Sequence, residues 1–201
     1  MEKYANAKET LLSPDEYLEI FRKSEALLEG HFLLTSGKHS AQYIQCAQVL
    51  QYPDRAAILA AGLAVLFRDM EIQTVIGPAM GGILVAHEVA KALGVRALFT
   101  ERENGNMRLR RGFTLSPGER VLVVEDVITT GGSVREVLAV VREFKAIPVG
   151  VGVLVDRTGG KVNFGLPQSS IIQLNVQAFE VQECPLCAQG IPAVKPGSRK
   201  A

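Results

Sequence analysis

From residue 72 onward, short apolar runs alternate with amphipathic stretches, and this alternation limits the fold more than any other feature of the chain. The runs are "IQTVIG" at 72–77, "VRALF" at 95–99, "RVLVVED" at 120–126 and "IPVGVGVLVD" at 147–156. Between them, "GILVAHEVAKALG" sets Val85, Val89, Leu93, Ala86 and Ala90 on one side and His87, Glu88 and Lys91 on the other. "SVREVLAVVREFKA" likewise sets Val134, Val137, Leu138 and Val141 against Arg135, Glu136, Arg142 and Glu143. Apolar residues recurring every three to four positions make helices with one buried face. Strands separated by helices of this length demand parallel βαβ units. The expected fold is therefore α/β: an open, mostly parallel sheet with helices on both faces, binding ligands at the carboxyl ends of its strands.

The rest of the chain supplies a cover for that sheet. "SPDEYLEIFRKSEALLEG" reads as one helix capped by Ser13 and Pro14 and stopped by Gly30. "HFLLTSGKHSAQYIQCAQV" reads as a hairpin about Ser36-Gly37, and "PDRAAILAAGLAVLFRDM" as a core helix. The Pro- and Gly-rich tail from about residue 176 is expected to wrap the surface. The 201 residues then form a single domain, with a hood of approximately 1–50 plus 176–201 over a core sheet of approximately 54–175.

Composition excludes several function classes. A net charge of +1 argues against a dedicated nucleic-acid binder, so any anion site must be local. The longest apolar run, residues 56–67, is too short to cross a bilayer, and the polar N-terminus has no signal-peptide pattern. A soluble, cytoplasmic protein is expected. The three cysteines include one half of a zinc-type pair, Cys184-Pro-Leu-Cys187. No second pair is visible in the sequence, so unpaired thiols are expected, and His31, His39 and His87 show no metal spacing with one another.

The chemistry concentrates in "VLVVEDVITTGGS", residues 121–133. A buried strand runs into two adjacent carboxylates, and a hydroxyl- and glycine-rich turn leads to a helix. Ser133 and Glu136 stand at capping-box spacing, which predicts the helix start at Ser133. Backbone amides at such a turn, with the positive end of the helix dipole, suit a phosphate. Thr129, Thr130 and Ser133 add hydroxyls, and Gly131 and Gly132 permit close approach. Glu125 and Asp126 would repel a phosphate unless they accept hydrogen bonds from sugar hydroxyls or hold magnesium, directly or through water. Sugar and phosphate together suggest a ribose 5-phosphate.

This string resembles the phosphoribosyl diphosphate (PRPP) signature of type I phosphoribosyltransferases. Five further segments, "GHFLLTSGKHS", "IGPAMGGI", "FTERENGNMRLRRGF", "VDRTGG" and "CPLCAQGIPAVKPGSR", resemble in order those of the orotate phosphoribosyltransferases. The resemblance implies that Glu125 and Asp126 bind the ribose hydroxyls of PRPP. The stretch from Val127 and Ile128 through Thr129, Thr130, Gly131, Gly132 and Ser133 would then embrace its 5-phosphate. It implies that Ala79, Met80 and Gly81 meet pyrophosphate; many relatives carry a Lys in this turn, where Gly81 stands here. It assigns catalysis to Asp126 and to a mobile lid with Arg102, Arg108, Arg110 and Arg111, often closing over the partner's site in a homodimer. This lid has no His or Lys, so no general-acid His is assigned. Arg157 is implied to bind the orotate carboxylate, with Thr129, Thr35 and Lys38 nearby. The implied cofactor is Mg2+, held mainly by PRPP and water, and the substrates are PRPP and orotate. The alternatives are a purine or xanthine phosphoribosyltransferase and a PRPP-sensing regulator that binds nucleic acid. "VDRTGG" speaks against the first, and the near-neutral charge against the second.

Overall fold

The computed structural model describes residues 11–34, 36–174 and 176–196, which form a six-stranded and a two-stranded sheet. The larger follows the order β5-β4-β3-β6-β7-β8. Its strands are β3 (Thr74–Pro78), β4 (Arg96–Glu103), β5 (Asn106–Leu109), β6 (Arg120–Ile128), β7 (Ile147–Asp156) and β8 (Gln168–Gln173). All neighbours are parallel except β5, which pairs antiparallel with β4 at one edge. The four strands expected from the sequence are all present. The two edge strands, β5 and β8, were not anticipated.

Successive residues of β6 point to opposite faces, so each face acquires its own core. Leu122 and Val124 face α3 (Pro53–Val65) and α4 (Gly81–Leu93). Val121 and Val123 face α5 (Gly132–Glu143). Helix α5 buries Val134, Val137, Leu138 and Val141, the stripe its periodicity marks out. At about 1.5–3 kcal/mol for each fully buried side chain, that stripe dominates the helix's attachment.

The smaller sheet pairs β1 (Leu27–Leu33) with β2 (His39–Ile44). Helix α1 (Pro14–Lys23) begins with the full capping box of Ser13 and Glu16, but it ends seven residues before Gly30 (30 − 23 = 7). Leu27 and Leu28 belong to β1 instead, because the left-handed Glu25 (φ 53°) turns the chain out of the helix. The tail crosses this sheet: Phe179 pairs with His39 and Val194 with Phe32. It carries the short helix α6 (Pro185–Ala188). No helix among the described residues is long and apolar enough to cross a membrane.

Candidate active site

Strand order alone locates the cleft. From β3 the chain passes through α4 to β4 on one side, and from β6 through α5 to β7 on the other. The crossovers leave in opposite directions, so the carboxyl ends of β3 and β6 border the topological switch point, where open α/β sheets bind ligands. Pairing between these strands stops at Ile76 and Val123, and beyond it the two chains part. The turn after β3 is "PAMGG", and the end of β6 is "EDVI" running into "TTGGS".

The acidic pair sits in that opening. Glu125 is only 7% exposed, and Asp126 is half-buried. Burial first, and then the neighbouring Asp126 carboxylate, push the Glu125 carboxyl up to about 9. The amide of Asp126 donates to Glu125 Oε1 at 3.2 Å, and that of Val127 to Asp126 Oδ1 at 2.9 Å. No cation is paired with either carboxylate among the described residues. Gly81 supplies the space: a Cβ there would collide with the Asp126 carboxylate. Gly81 thus lets the two loops touch. Of the three residues expected to meet pyrophosphate, Ala79 has its amide committed to the Thr100 carbonyl at 2.8 Å. Exposed Met80 and Gly81 remain at the start of α4, which has no side-chain cap.

The second turn departs from the expected cap. Helix α5 begins at Gly132, its N-cap is left-handed Gly131 (φ 74°), and no side chain caps it. The Ser133–Glu136 capping box does not form; Glu136 Oε1 instead accepts from Arg102 Nη2 at 2.9 Å. First-turn amides have no intrahelical acceptors, so they stay available to an anion. Thr129 and Thr130 are exposed there, and Val127 and Ile128 lead into the turn as the end of β6. Gly131 has no room for a side chain, since a Cβ would lie 2.9 Å from Phe164 and Val162. Gly131→Ala should cost about 1–2 kcal/mol from the left-handed backbone alone. At roughly 2–4 °C per kcal/mol for a chain of this size, thermal melting should fall by about 2–8 °C. An unchanged melting point would show that the turn tolerates a side chain.

Arg157 closes the site from β7. Its amide donates to the Ile128 carbonyl at 3.0 Å, which ties it to the end of β6. Its Nε is buried with no hydrogen-bond partner, and no carboxylate pairs with it among the described residues. The adjacent Asp156 spends its oxygens on the amides of Thr158 (2.6 Å) and Gly160 (3.2 Å). Burial lowers the guanidinium pKa, opposed by Tyr43 and Cys46. The Cys46 thiol, in turn, donates to the Asp126 carbonyl at 3.6 Å and is pushed well up by burial, Asp126 and Glu125. Sequence reasoning missed Tyr43 and Cys46, which line this corner; neither lies in a recognisable motif. Thr35 lies outside the described residues. Lys38 is half-buried and holds Glu180 at 2.8 Å, so it is engaged with the tail.

The expected lid is a β-hairpin. Strand β4 extends to Glu103, turns at left-handed Asn104 and Gly105, and returns as β5. Asn-Gly is the preferred pair for such a tight turn. Arg110 Nε lies 3.2 Å and Arg108 Nε 4.0 Å from Glu103, and Arg111 grips Glu101 at 2.7 Å. Buried Met107 roots the hairpin in the α5-side core. Of the hairpin's four arginines, Arg102 alone among the described residues bonds to the helix that carries the phosphate-type turn, through Glu136.

The histidines and cysteines need a larger correction. His31 and His39, 8 residues apart, are brought together with Cys184 and Cys187. The thiols are not isolated, and the second pair is a pair of imidazoles. His87 alone keeps the surface place expected of it.

Known proteins share this architecture. The Phosphoribosyl transferase domain family matches residues 45–183. The orotate phosphoribosyltransferase of Desulforamulus reducens is 59% identical over 189 residues, covering 94% of this chain and 99% of its own. That of Caldicellulosiruptor bescii is 54% identical, over 94% and 100%. Among solved structures, an orotate phosphoribosyltransferase from Aeropyrum pernix superposes with a TM-score of 0.63 at 27% identity, over 78% of this chain and 93% of that one. An adenine phosphoribosyltransferase from Rhodothermus marinus reaches a TM-score of 0.62 at 20% identity, over 80% and 99%. Shape is thus common to enzymes that take different bases, and end-to-end sequence identity separates them: the chain belongs to the orotate phosphoribosyltransferases.

Proposed function

We propose that the chain transfers the ribose 5-phosphate group of PRPP to orotate, giving orotidine 5′-phosphate and pyrophosphate, a step of pyrimidine (UMP) synthesis. One observation supports this choice of base above the others: half-buried Arg157, whose Nε is buried without a hydrogen-bond partner, pairs with no carboxylate among the described residues, beside an acidic pair at the switch point. A carboxylated pyrimidine supplies the missing anion. Arg is suited to it, since its fork can make two parallel hydrogen bonds to one carboxylate.

In this reading Glu125 and Asp126 hold the ribose hydroxyls, and the amides and hydroxyls of residues 129–133 hold the 5-phosphate. Met80 and Gly81 present backbone to the departing pyrophosphate, and Arg102 adds positive charge beside α5. With both ends of the sugar fixed, the bond from the anomeric carbon to pyrophosphate breaks as that to the base nitrogen forms. The positive charge that develops resembles that of glycoside cleavage. No protein nucleophile is needed; positioning and charge stabilisation carry the rate. The oxygen donors of Glu125 and Asp126 fit magnesium, and a buried carboxyl raised to about 9 is a group that a nearby cation would relieve. Held there with PRPP, magnesium would supply charge to offset that of the leaving pyrophosphate. We assign the protein to the cytoplasm as a homodimer in which Arg108, Arg110 and Arg111, on an exposed hairpin, act toward the partner's cleft.

The test is a substrate panel of orotate, uracil, adenine and xanthine with PRPP and magnesium, followed by ultraviolet absorbance. Orotate should be consumed. Uracil, which lacks the carboxylate, should react at least about 10²-fold less efficiently, since it leaves a buried charge unpaired. Turnover of adenine or xanthine without orotate would refute the assignment.

A further inference from the structure

We propose that His31, His39, Cys184 and Cys187 bind a single structural zinc ion that fastens the C-terminal tail to the β1–β2 hairpin. Their donor atoms all lie within 4.8 Å of one another. His31 Nε2 is 2.7 Å from His39 Nδ1, 3.4 Å from Cys184 Sγ and 3.8 Å from Cys187 Sγ, and Cys187 Sγ is 3.2 Å from His39 Nδ1. A tetrahedral zinc with its usual bond lengths sets such atoms about 3.3–3.8 Å apart. The imidazole pair must open by about half an ångström on that same geometry.

Three independent features match a closed metal site. The donor set, two thiols at Cys-x-x-Cys spacing and two imidazoles, is one that zinc selects. His31 Nδ1 sits 2.6 Å from the Ile191 carbonyl. An N–H there fixes the tautomer and leaves the Nε2 lone pair facing the cluster, as metal-bound histidines are commonly oriented. His31, His39 and Cys184 are buried and Cys187 half-buried, so four protein ligands leave no open position for a substrate. The site is structural.

Apart from backbone bridges and the Lys38–Glu180 ion pair, the tail has little apolar attachment. Neither its 3-10 turn (Val181–Glu183) nor α6 buries an apolar residue, and Val181, Ile191 and Val194 are 47%, 41% and 60% exposed. Small segments with too little core are commonly stapled by a metal. Here the staple joins the β-bridges His39–Phe179 and Phe32–Val194 on either side of it.

The full chain, purified without a histidine tag, should contain about one zinc per chain by elemental analysis. Cobalt exchanged for zinc should give the intense visible bands of a tetrahedral thiolate site. Cys184→Ser and Cys187→Ser should hold less than about a tenth of the wild-type metal, whereas His87→Ala should hold it all. If the cysteine variants do not fold, the wild-type protein still decides: blocking its thiols with a mercurial should release zinc in step. A strong chelator should speed proteolysis within the tail by roughly tenfold or more. Purified protein with no bound metal and no cobalt spectrum overturns the proposal, and so does a Cys184–Cys187 disulfide seen by mass spectrometry. Full metal retention in Cys184→Ser overturns it as well.

Discussion

Arg157→Ala should lower kcat/KM for orotate by on the order of 10²–10³-fold while PRPP still binds, because an arginine–carboxylate pair in a buried site is worth about 3–5 kcal/mol when one partner is removed. Stability should move the other way. In the ligand-free protein Arg157 is half-buried, its buried Nε has no hydrogen-bond partner, and no carboxylate pairs with it among the described residues. An arginine that braced the fold through a salt bridge would, on removal, destabilise it by a similar few kcal/mol. An arginine reserved for a substrate anion carries an uncompensated desolvation cost, and its loss should leave melting unchanged or raise it. Arg157→Met separates this from packing, since it keeps the aliphatic stem and removes the charge. The measurements are steady-state rates with orotate, PRPP affinity by calorimetry, and thermal melts without ligand. A variant that loses PRPP affinity and stability together would return Arg157 to a structural role.

How much of this was legible in the sequence depended on how local each signal is. The central strands and α4 and α5 announce themselves because their apolar residues repeat within a few positions, and the structure keeps those stripes. β8 does not: in "QSSIIQ" only Ile171 and Ile172 are buried. β5 was masked by charge, although Asn104-Gly105 carried the hairpin signal. The start of β1 was misread because Leu27 and Leu28 continue the spacing of α1, and nothing local reveals that Glu25 turns left-handed. The same limit governs the site. The acidic pair and the turn after it form one contiguous string, so their shared chemistry could be inferred from residue types. The metal-type cluster could not, because Cys184 and His31 are 153 residues apart and only the tail's path over the hairpin unites them. The role of Arg157 came from family resemblance; its unpartnered burial is a property of three-dimensional surroundings that no short motif encodes.

Glu125→Gln should stabilise the ligand-free protein above neutral pH while weakening PRPP binding, which places function and stability in opposition at one side chain. The folded protein holds the Glu125 proton up to about 9, against 4.5 as the ordinary value, because burial and the Asp126 charge disfavour ionisation. Between those values the native state binds more proton than the unfolded one. The stability this contributes is complete below 4.5, declines as pH rises and is gone above about 9. The limiting slope is about 1.4 kcal/mol per pH unit. Glutamine cannot ionise, so the melting curves of variant and wild type should diverge steadily from pH 5 to pH 9, by up to about 3–6 °C per pH unit at roughly 2–4 °C per kcal/mol. Titrating groups that do not interact with Glu125 shift both proteins alike and cancel in the difference. Loss of the carboxylate should weaken PRPP binding by roughly 10–100-fold, the worth of hydrogen bonds to a charged acceptor. Parallel melting curves would show that Glu125 ionises freely in the empty site. Undiminished PRPP affinity would remove it from the sugar. The neighbour that raises its pKa, Asp126, is also its partner in the cleft, and the turn after β3 rests on both carboxylates: a Cβ at Gly81 would collide with Asp126 and one at Gly82 would lie 3.3 Å from Glu125 Oε1.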